Sequence, residues 1–438
     1  MQKTMLQAGF GREAIMPEGS VHMQGGDWRN RISTGVLDTL LLTCVALRQG
    51  KETVLLYTAD LKLPTVNFTD DTKAALTAAL GIPTEHIFIA STHTHSSVAI
   101  RYPWEGVEAY RAMFTEKAIA AARTALADLA EAAIWVGAAQ TERMTFVRHY
   151  RMNDGTVAGS NFGSWASGIA SHVKDADGQL QLVKLAREGK KDILLMSFPA
   201  HGTFNEGGTL LSADFPSPMR EYVESERELL VAYFIGAAGD QVPSSRIPGL
   251  AYSKDYREYG QRLGQYALEG LDGLKPLCGG EVKLLRKTVV APTNKMRLEK
   301  LADAKEALEI AAQYGNRSQE LKDALKRLGL SSRHEANWIG IRSRLDDTKD
   351  VELKVLSVGE LAFAMVPYEM FGGHGKTIKE ESPFPMTLIV GCEDGLNYLA
   401  SEESFDYGCY ESLCCFYAKG MAENLRDTYL DMLKTIHA

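Results

Sequence analysis

The chain has 438 residues, of which 45% are hydrophobic and 24% are charged. This composition is typical of a soluble globular protein, and the length suits two or three domains or one large α/β unit. The formal net charge is −8. There is no dominant basic patch, so the sequence does not suggest the phosphate-neutralising surface that nucleic-acid binding needs. We therefore expect no nucleic-acid partner.

The N-terminal stretch MQKTMLQAGFGRE lacks the continuous apolar run of an export signal. The longest apolar runs, such as GVLDTLLLTCVAL, contain polar residues and are too short to cross a bilayer. The six cysteines show no C-x-x-C spacing, and in a chain of this size they do not form a disulfide framework. We therefore expect a cytoplasmic protein with mostly reduced thiols and no transmembrane segment.

Seven runs rich in Val, Ile, Leu and aromatic residues predict β-strands. In chain order they are TVLLYTADL (53–61), HIFIASTHT (86–94), AAIWVGAAQ (132–140), DILLMSFPAHG (192–202), LVAYFIGAAGD (230–240), LAFAMVPYE (361–369) and MTLIVGCEDG (386–395). Several runs are apolar throughout, which is typical of strands buried on both faces. Segments with helical periodicity lie between them. The sequence therefore predicts an α/β fold with a mixed β-sheet core and flanking helices.

Segment 296–330 has the pattern of a helical hairpin broken at Gly315 and Asn316. Its high charge predicts a solvated excursion on the surface, away from the functional site. No Ser/Pro-rich linker divides the chain, and no repeat with a solenoid period is visible. We therefore expect residues 1–438 to form a single domain that carries this helical insertion.

Polar residues follow most of the predicted strands, where the apolar runs end. They are Asp60, His93, His95, His201, Asp240, Glu369, Asp394, Asn397 and Tyr398. Loops beyond the carboxyl ends of sheet strands are where α/β proteins usually bind ligands. This set exceeds what scattered surface charge would give, so we expect the residues to share one site at the strand ends.

The stretch STHTHSS places His93 and His95 two residues apart. Residues at this spacing in an extended chain point to the same side, so both imidazoles are expected to face one cavity. The spacing leaves open whether both bind a metal, one binds while the other does chemistry, or neither has a role. Two or three nitrogen ligands with one carboxylate suit Zn²⁺, which in catalytic sites typically keeps three protein ligands and an open position. A mononuclear zinc site is therefore predicted.

Other short patterns do not support nucleotide binding or a serine nucleophile. AGFGRE lacks the third glycine of a dinucleotide fingerprint, and GGHGK at 372–376 has the wrong spacing for a P-loop. No G-x-S-x-G elbow is present. These absences leave metal-assisted chemistry as the favoured interpretation.

Five motifs, in their order along the chain, resemble the catalytic domain of the neutral (non-lysosomal) ceramidase family. They are STHTHSS, FPAHGT, GAAGDQVP, VPYEMF and LNYLASEESFDYGCYE. The opening stretches AGFGREAIMPEG, GVLDTLLLTCVAL and LLYTADL are similar to that family as well, so the resemblance spans roughly residues 7 to 420. It implies hydrolysis of the amide bond of N-acylated sphingoid bases with one zinc ion. The chain looks like the shorter bacterial relatives without a C-terminal immunoglobulin-like domain.

The resemblance also implies roles for individual residues. The zinc ligands would be His93, His201, Glu369 and Tyr398, and the catalytic residues would be His95, Tyr410 and Arg148. Arg151 lies close to Arg148 in sequence and is the other candidate for its place. In these roles His95 moves a proton to the leaving amine, and Tyr410 and Arg148 hold the oxyanion. Asp60 and Asp240 are expected to orient the ligating imidazoles.

Two departures from the family pattern concern the substrate. Val242 stands in GDQVP where the ceramidases carry a serine, and VPYEMF differs from the usual PGEF. Both weaken ceramide as the substrate more than they weaken zinc-dependent amide hydrolysis. We therefore expect a zinc amidohydrolase that acts on a small-molecule N-acyl substrate, and an oligomer is compatible with the sequence. The alternatives are a zinc hydrolase for an ester or a small N-acylated sugar or amino acid, and a metal-retaining binding protein without turnover.

Overall fold

A computed structural model describes residues 5–25, 31–63, 65–159, 168–393 and 397–438. The same order of elements occurs three times along the chain. Each unit has three consecutive antiparallel strands, a crossover helix, a fourth strand parallel to the third, and a later helix packed on the sheet.

The first unit consists of β1 (Gln7–Ala14), β2 (Leu41–Gln49), β3 (Glu52–Ala59), α1 (Val66–Leu80), β4 (Ile87–Ser91) and α2 (Val107–Ala127). The second consists of β5 (Ala130–Gln140), β6 (Gln179–Arg187), β7 (Asp192–Phe198), α3 (Pro216–Glu226), β8 (Leu229–Ile235) and α4 (Tyr256–Leu271). A short strand, β9 (Lys275–Leu277), follows and pairs with β5.

The third unit begins with β10 (Val282–Pro292) and is interrupted by α5 (Leu301–Tyr314), α6 (Gln319–Leu328) and α7 (Arg333–Arg342). It continues with β11 (Thr348–Val358), β12 (Leu361–Met365), α8 (Gly372–Glu381), β13 (Met386–Val390), α9 (Glu402–Tyr407), α10 (Tyr410–Cys414) and α11 (Met421–His437). The predicted hairpin is thus confirmed as α5 and α6, and a third helix follows it.

Two sheets face each other across the core. The first two units share a sheet in the order β4-β3-β2-β1-β5-β6-β7-β8, and the third unit forms a sheet in the order β10-β11-β12-β13. The apolar layer between them includes Val45, Leu56, Leu195 and Phe363. Helices α1 to α4 cover the outer face of the large sheet, and α8 and α11 cover that of the small one. The predicted mixed α/β fold with flanking helices is confirmed.

All seven predicted strands are present as β3, β4, β5, β7, β8, β12 and β13. The inner faces of these strands meet the opposite sheet. In all but β5 the outer faces are buried under helices as well, which explains why several apolar runs do not alternate. The polar residues at the ends of the runs lie beyond these strands. Most are in loops, whereas Glu369 and Tyr398 lie in two short segments that pair in parallel, Glu369–Met370 and Tyr398–Leu399. Asp394 falls outside the described residues.

Each unit carries an insertion at the same place, between its first and second strands. The insertions span residues 15–40, 141–178 and 293–347. All six cysteines are free thiols, and all but Cys278 are buried. Among the described residues, no helix combines the length and the apolar character that a membrane span requires.

The glycines of AGFGRE serve helix packing. A Cβ on Gly9 would lie 2.0 Å from the carbonyl oxygen of Ala125, and one on Gly11 would lie 2.0 Å from that of Ala121. Both alanines belong to α2, so the two glycines let β1 and α2 approach closely. This contact gives the motif a structural explanation without a nucleotide.

Two glycine-to-alanine substitutions should therefore have opposite effects. Gly11→Ala is expected to lower the free energy of unfolding by about 1–3 kcal/mol, because a methyl group must displace the α2 backbone. Gly340→Ala, in α7 with open space around the added atom, should raise it by about 0.4–1 kcal/mol. Urea denaturation followed by circular dichroism measures both. Equal effects of the two substitutions would contradict the packing role of Gly11.

Candidate metal centre and active site

Loops from all three units meet at one buried point. His93 follows β4, His201 follows β7 and Glu369 follows β12, and each residue is at most 4% exposed. The Oε2 atom of Glu369 lies 3.3 Å from Nε2 of His93 and 3.1 Å from Nε2 of His201. One carboxylate oxygen is therefore shared by two imidazoles from different units.

The hydrogen bonds of the two imidazoles fix which nitrogen carries the proton. Nδ1 of His93 lies 3.0 Å from the carbonyl oxygen of Lys62, and Nδ1 of His201 lies 3.0 Å from that of Gln241. A carbonyl oxygen only accepts, so both Nδ1 atoms donate. Burial, assisted by Arg148, lowers the pKa of His201 to about 3 and keeps that ring neutral. Its Nε2 therefore presents a lone pair to Glu369.

His95 points into the same centre. Its Nε2 lies 3.3 Å from Nε2 of His93, and its Nδ1 lies 2.9 Å from Oε1 of Glu206. Since a carboxylate accepts, Nδ1 donates here too and Nε2 faces inward without a proton. Burial lowers the pKa of His95 to about 4, although Glu206 opposes that shift. Ligand atoms of His93, His95 and His201 all lie within 4.8 Å of one another.

This arrangement fits a metal cation. Where no proton lies between them, the lone pairs of two imidazole nitrogens, or of one and a carboxylate oxygen, repel one another at 3.1–3.3 Å. One proton on Glu369 could serve only one of the two rings that contact it, whereas a cation among the atoms would attract all of them. Imidazole nitrogen with carboxylate oxygen is a ligand set that zinc accepts.

The predicted pairing of His93 and His95 at one cavity has a different local cause. β4 ends at Ser91, so neither histidine belongs to an extended strand. His93 has a φ of 64°, in the left-handed region, and the carbonyl oxygen of Gly202 accepts the backbone N–H of His95. The turn, and not strand alternation, brings the two imidazoles together.

Arg148 connects the centre to the two predicted tyrosines. Its Nη2 donates to the Tyr398 hydroxyl at 3.1 Å and to the carbonyl oxygen of Gly239 at 3.0 Å. The guanidinium carbon lies 5.5 Å from the ring centroid of Tyr398 and 5.8 Å from that of Tyr410. Arg151, three residues later, is exposed to solvent. The structure thus places Arg148, and not Arg151, beside the tyrosines.

Glu411 holds Arg148 in place, and sequence reasoning gave it no role. Its Oε1 accepts from Nε of Arg148, and its Oε2 lies 2.9 Å from Nε2 of His149. Burial raises the pKa of Glu411, but Arg148 and His149 outweigh it and hold the pKa below its usual range. With Cys409, His149 and Glu411 form a second group with metal-ligand geometry. The adjacent guanidinium disfavours a cation there, because it already neutralises the carboxylate.

Asp60 and Asp240 do not contact the imidazoles. Both carboxylate oxygens of Asp60 accept from Arg220, at 3.0 and 2.7 Å. Oδ1 of Asp240 accepts the N–H of Gly372 at 2.7 Å, and its carbonyl oxygen accepts the N–H of Arg148. The hydrogen bonds that orient the imidazoles come from the carbonyl oxygens of Lys62 and Gln241 and not from these two carboxylates.

Two further positions bear on the family pattern and on access. Val242, which stands where the ceramidases carry a serine, is buried and pairs with Phe146. The helix that follows the predicted hairpin, α7, packs against α10. His334 lies 5.1 Å from Tyr410 between ring centroids and 3.3 Å from Sγ of Cys414.

No family model and no curated protein matches the chain. Among solved structures, the chain is similar to the neutral ceramidase from Pseudomonas aeruginosa, with a TM-score of 0.74 and 16% identity over 100% of this chain and 75% of that chain. It is also similar to a ceramidase complexed with C2, with a TM-score of 0.71 and 14% identity over 98% of this chain and 75% of that chain. The resemblance predicted from the five motifs is thus confirmed for the fold: this chain has the fold of the neutral ceramidases.

Proposed function

We propose that this protein is a zinc-dependent hydrolase that cleaves the amide bond of a small N-acylated substrate. The observation that carries the proposal is the buried convergence of imidazole Nε2 atoms on the Glu369 carboxylate. Such a cluster is costly to bury without a cation. The ceramidase fold supports the amide as the bond that is cleaved.

The ligands in this proposal are His93, His201, Glu369 and Tyr398. The backbone of Tyr398 pairs in parallel with that of Glu369. When bound, zinc would supply Lewis acidity and would lower the pKa of a water molecule to about 7. The carbonyls of Lys62 and Gln241 hold the two imidazoles in the tautomer that presents Nε2. Because these two hydrogen bonds orient the imidazoles before the metal binds, they are expected to raise the affinity for zinc.

The remaining residues act on the substrate. His95 accepts a proton from the attacking water at Nε2 and delivers it to the leaving nitrogen as the C–N bond breaks. Arg148 and Tyr410, which lie side by side, stabilise the negative charge that develops on the carbonyl oxygen. Glu411 and the Gly239 carbonyl restrain the guanidinium and limit its reorganisation during the reaction.

The test is a panel of N-acyl sphingoid bases, N-acyl amino acids, N-acyl sugars and carboxylic esters, each assayed with zinc and with a chelator. Zinc-dependent release of the amine from an N-acyl compound is the expected result. Turnover of esters alone would show that the bond cleaved is an ester and not an amide. No turnover by the zinc-loaded protein would favour a metal-retaining binding protein.

Removal of a zinc ligand should abolish metal binding. His201→Ala and Glu369→Ala are each expected to lose most of the bound zinc, because each leaves the remaining ligands incomplete. Elemental analysis after dialysis measures the metal content. His437→Ala, at the exposed end of α11, is the matched control and should keep the zinc content of the wild type. Full zinc content in both ligand variants would contradict the assignment.

The two histidines of STHTHSS should give unequal variants. His93→Ala is expected to lose zinc and activity together. His95→Ala should keep zinc and lose about 10²–10⁴-fold in rate, because it removes the proton-transfer group alone. Zinc analysis with steady-state kinetics distinguishes the two. Equal loss of zinc would show that His95 is a ligand as well.

A further inference from the structure

The three inward-facing histidines differ in what holds their Nδ1 atoms. His93 and His201 donate to backbone carbonyls, whereas His95 donates to the carboxylate of Glu206 at 2.9 Å. A carbonyl fixes the tautomer of a ring but carries no net charge. A carboxylate fixes the tautomer and also stabilises positive charge on the ring. His95 is therefore set apart from its two neighbours by its partner.

Glu206 is held at this distance by an organised loop. The backbone N–H of Asn205 donates to Oδ2 of Asp214 at 3.0 Å, and the carbonyl oxygen of Asn205 accepts from Oγ of Ser96 at 3.0 Å. The second contact joins the loop directly to the residue after His95. The Asp214 contact thus orders the loop that carries Glu206, and the Ser96 contact ties that loop to the segment that carries His95.

A buried arginine ties the same two segments together. Nη1 of Arg31 donates to the carbonyl oxygen of Gly208 at 2.8 Å, and its Nη2 donates to that of His95 at 2.7 Å. Arg31 is 5% exposed and comes from the insertion of the first unit. The Glu206 side chain is 38% exposed whereas His95 is buried, and the segments that carry the two residues are tied together by Arg31 and Ser96.

We propose that Glu206 is the positioning residue of His95 in the reaction. This inference rests on the proposed function, in which the water oxygen bonds to the acyl carbon and the water proton passes to Nε2 of His95. That proton then moves to the amine nitrogen as the C–N bond breaks. Throughout, the Glu206 carboxylate keeps Nδ1–H in place, aims Nε2 at the reacting atoms and balances the charge that the ring carries.

The substitutions Glu206→Ala and Glu206→Gln separate orientation from charge, because the glutamine amide oxygen still accepts from Nδ1–H. Glu206→Ala is expected to lower kcat about 10–100-fold with KM and zinc content unchanged, and Glu206→Gln should lower it less. In a His95→Ala background, Glu206→Ala should cost nothing further, because Glu206 acts through His95. Glu221→Gln, on the exposed face of α3, is the control and should keep wild-type kinetics.

A spectroscopic measurement tests the contact without turnover. With ¹⁵N-labelled histidine, the Nδ1–H signal of His95, assigned by its loss in His95→Ala, should be present in the wild type and in Glu206→Gln and absent in Glu206→Ala. Retention of that signal in Glu206→Ala would overturn the proposal, as would loss of zinc or an equal kcat loss in the His95→Ala background. If the wild type hydrolyses nothing, the function fails, and the Nδ1–H signal still decides whether Glu206 positions His95.

Discussion

The repulsion among imidazole lone pairs and the Glu369 carboxylate is the constraint on which the centre depends. Each Nδ1 is occupied by an acceptor, so each Nε2 must face inward. The fold holds these atoms together through buried contacts that do not involve the ligand side chains themselves. Gly239 makes one such contact, because a Cβ there would lie 2.4 Å from the carbonyl oxygen of Glu369. Close packing of the backbone thus holds together side chains whose lone pairs repel one another. A bound cation would remove that repulsion.

The threefold recurrence of one β-β-β-α-β-α unit explains how distant residues reach this point. The first unit supplies His93 and His95, the second His201, and the third Glu369 and Tyr398, always from loops that follow a third or fourth strand. The insertions contribute a second layer: Arg31, Arg148 and His334 come from equivalent places in the three units. The core strands therefore set the distances between the proposed metal ligands, and the insertions set the contacts around them.

Two carboxylates near the centre each hold neighbouring acidic or basic side chains in separate groups. Glu206 stands behind His95, and Glu411 stands behind Arg148 and His149. Each carboxylate restrains a group that is proposed to act on the substrate, one by proton transfer and one by stabilising negative charge. Because both carboxylates lie beyond the inward-facing atoms, they can orient those groups without competing for the metal. This separation explains how these five acidic or basic side chains lie close to one another.

The sequence alone determined the seven strands, the α/β class and the presence of His93, His95, His201 and Glu369 at strand ends, because apolar runs and their polar ends are local features. Its family motifs pointed to Arg148, Tyr398 and Tyr410. The tertiary structure decided which atoms meet: carbonyls, and not Asp60 or Asp240, orient the imidazoles, and α7 reaches Tyr410. Glu206 and the division into units were invisible in the sequence, since a contact across 111 residues leaves no periodic signal.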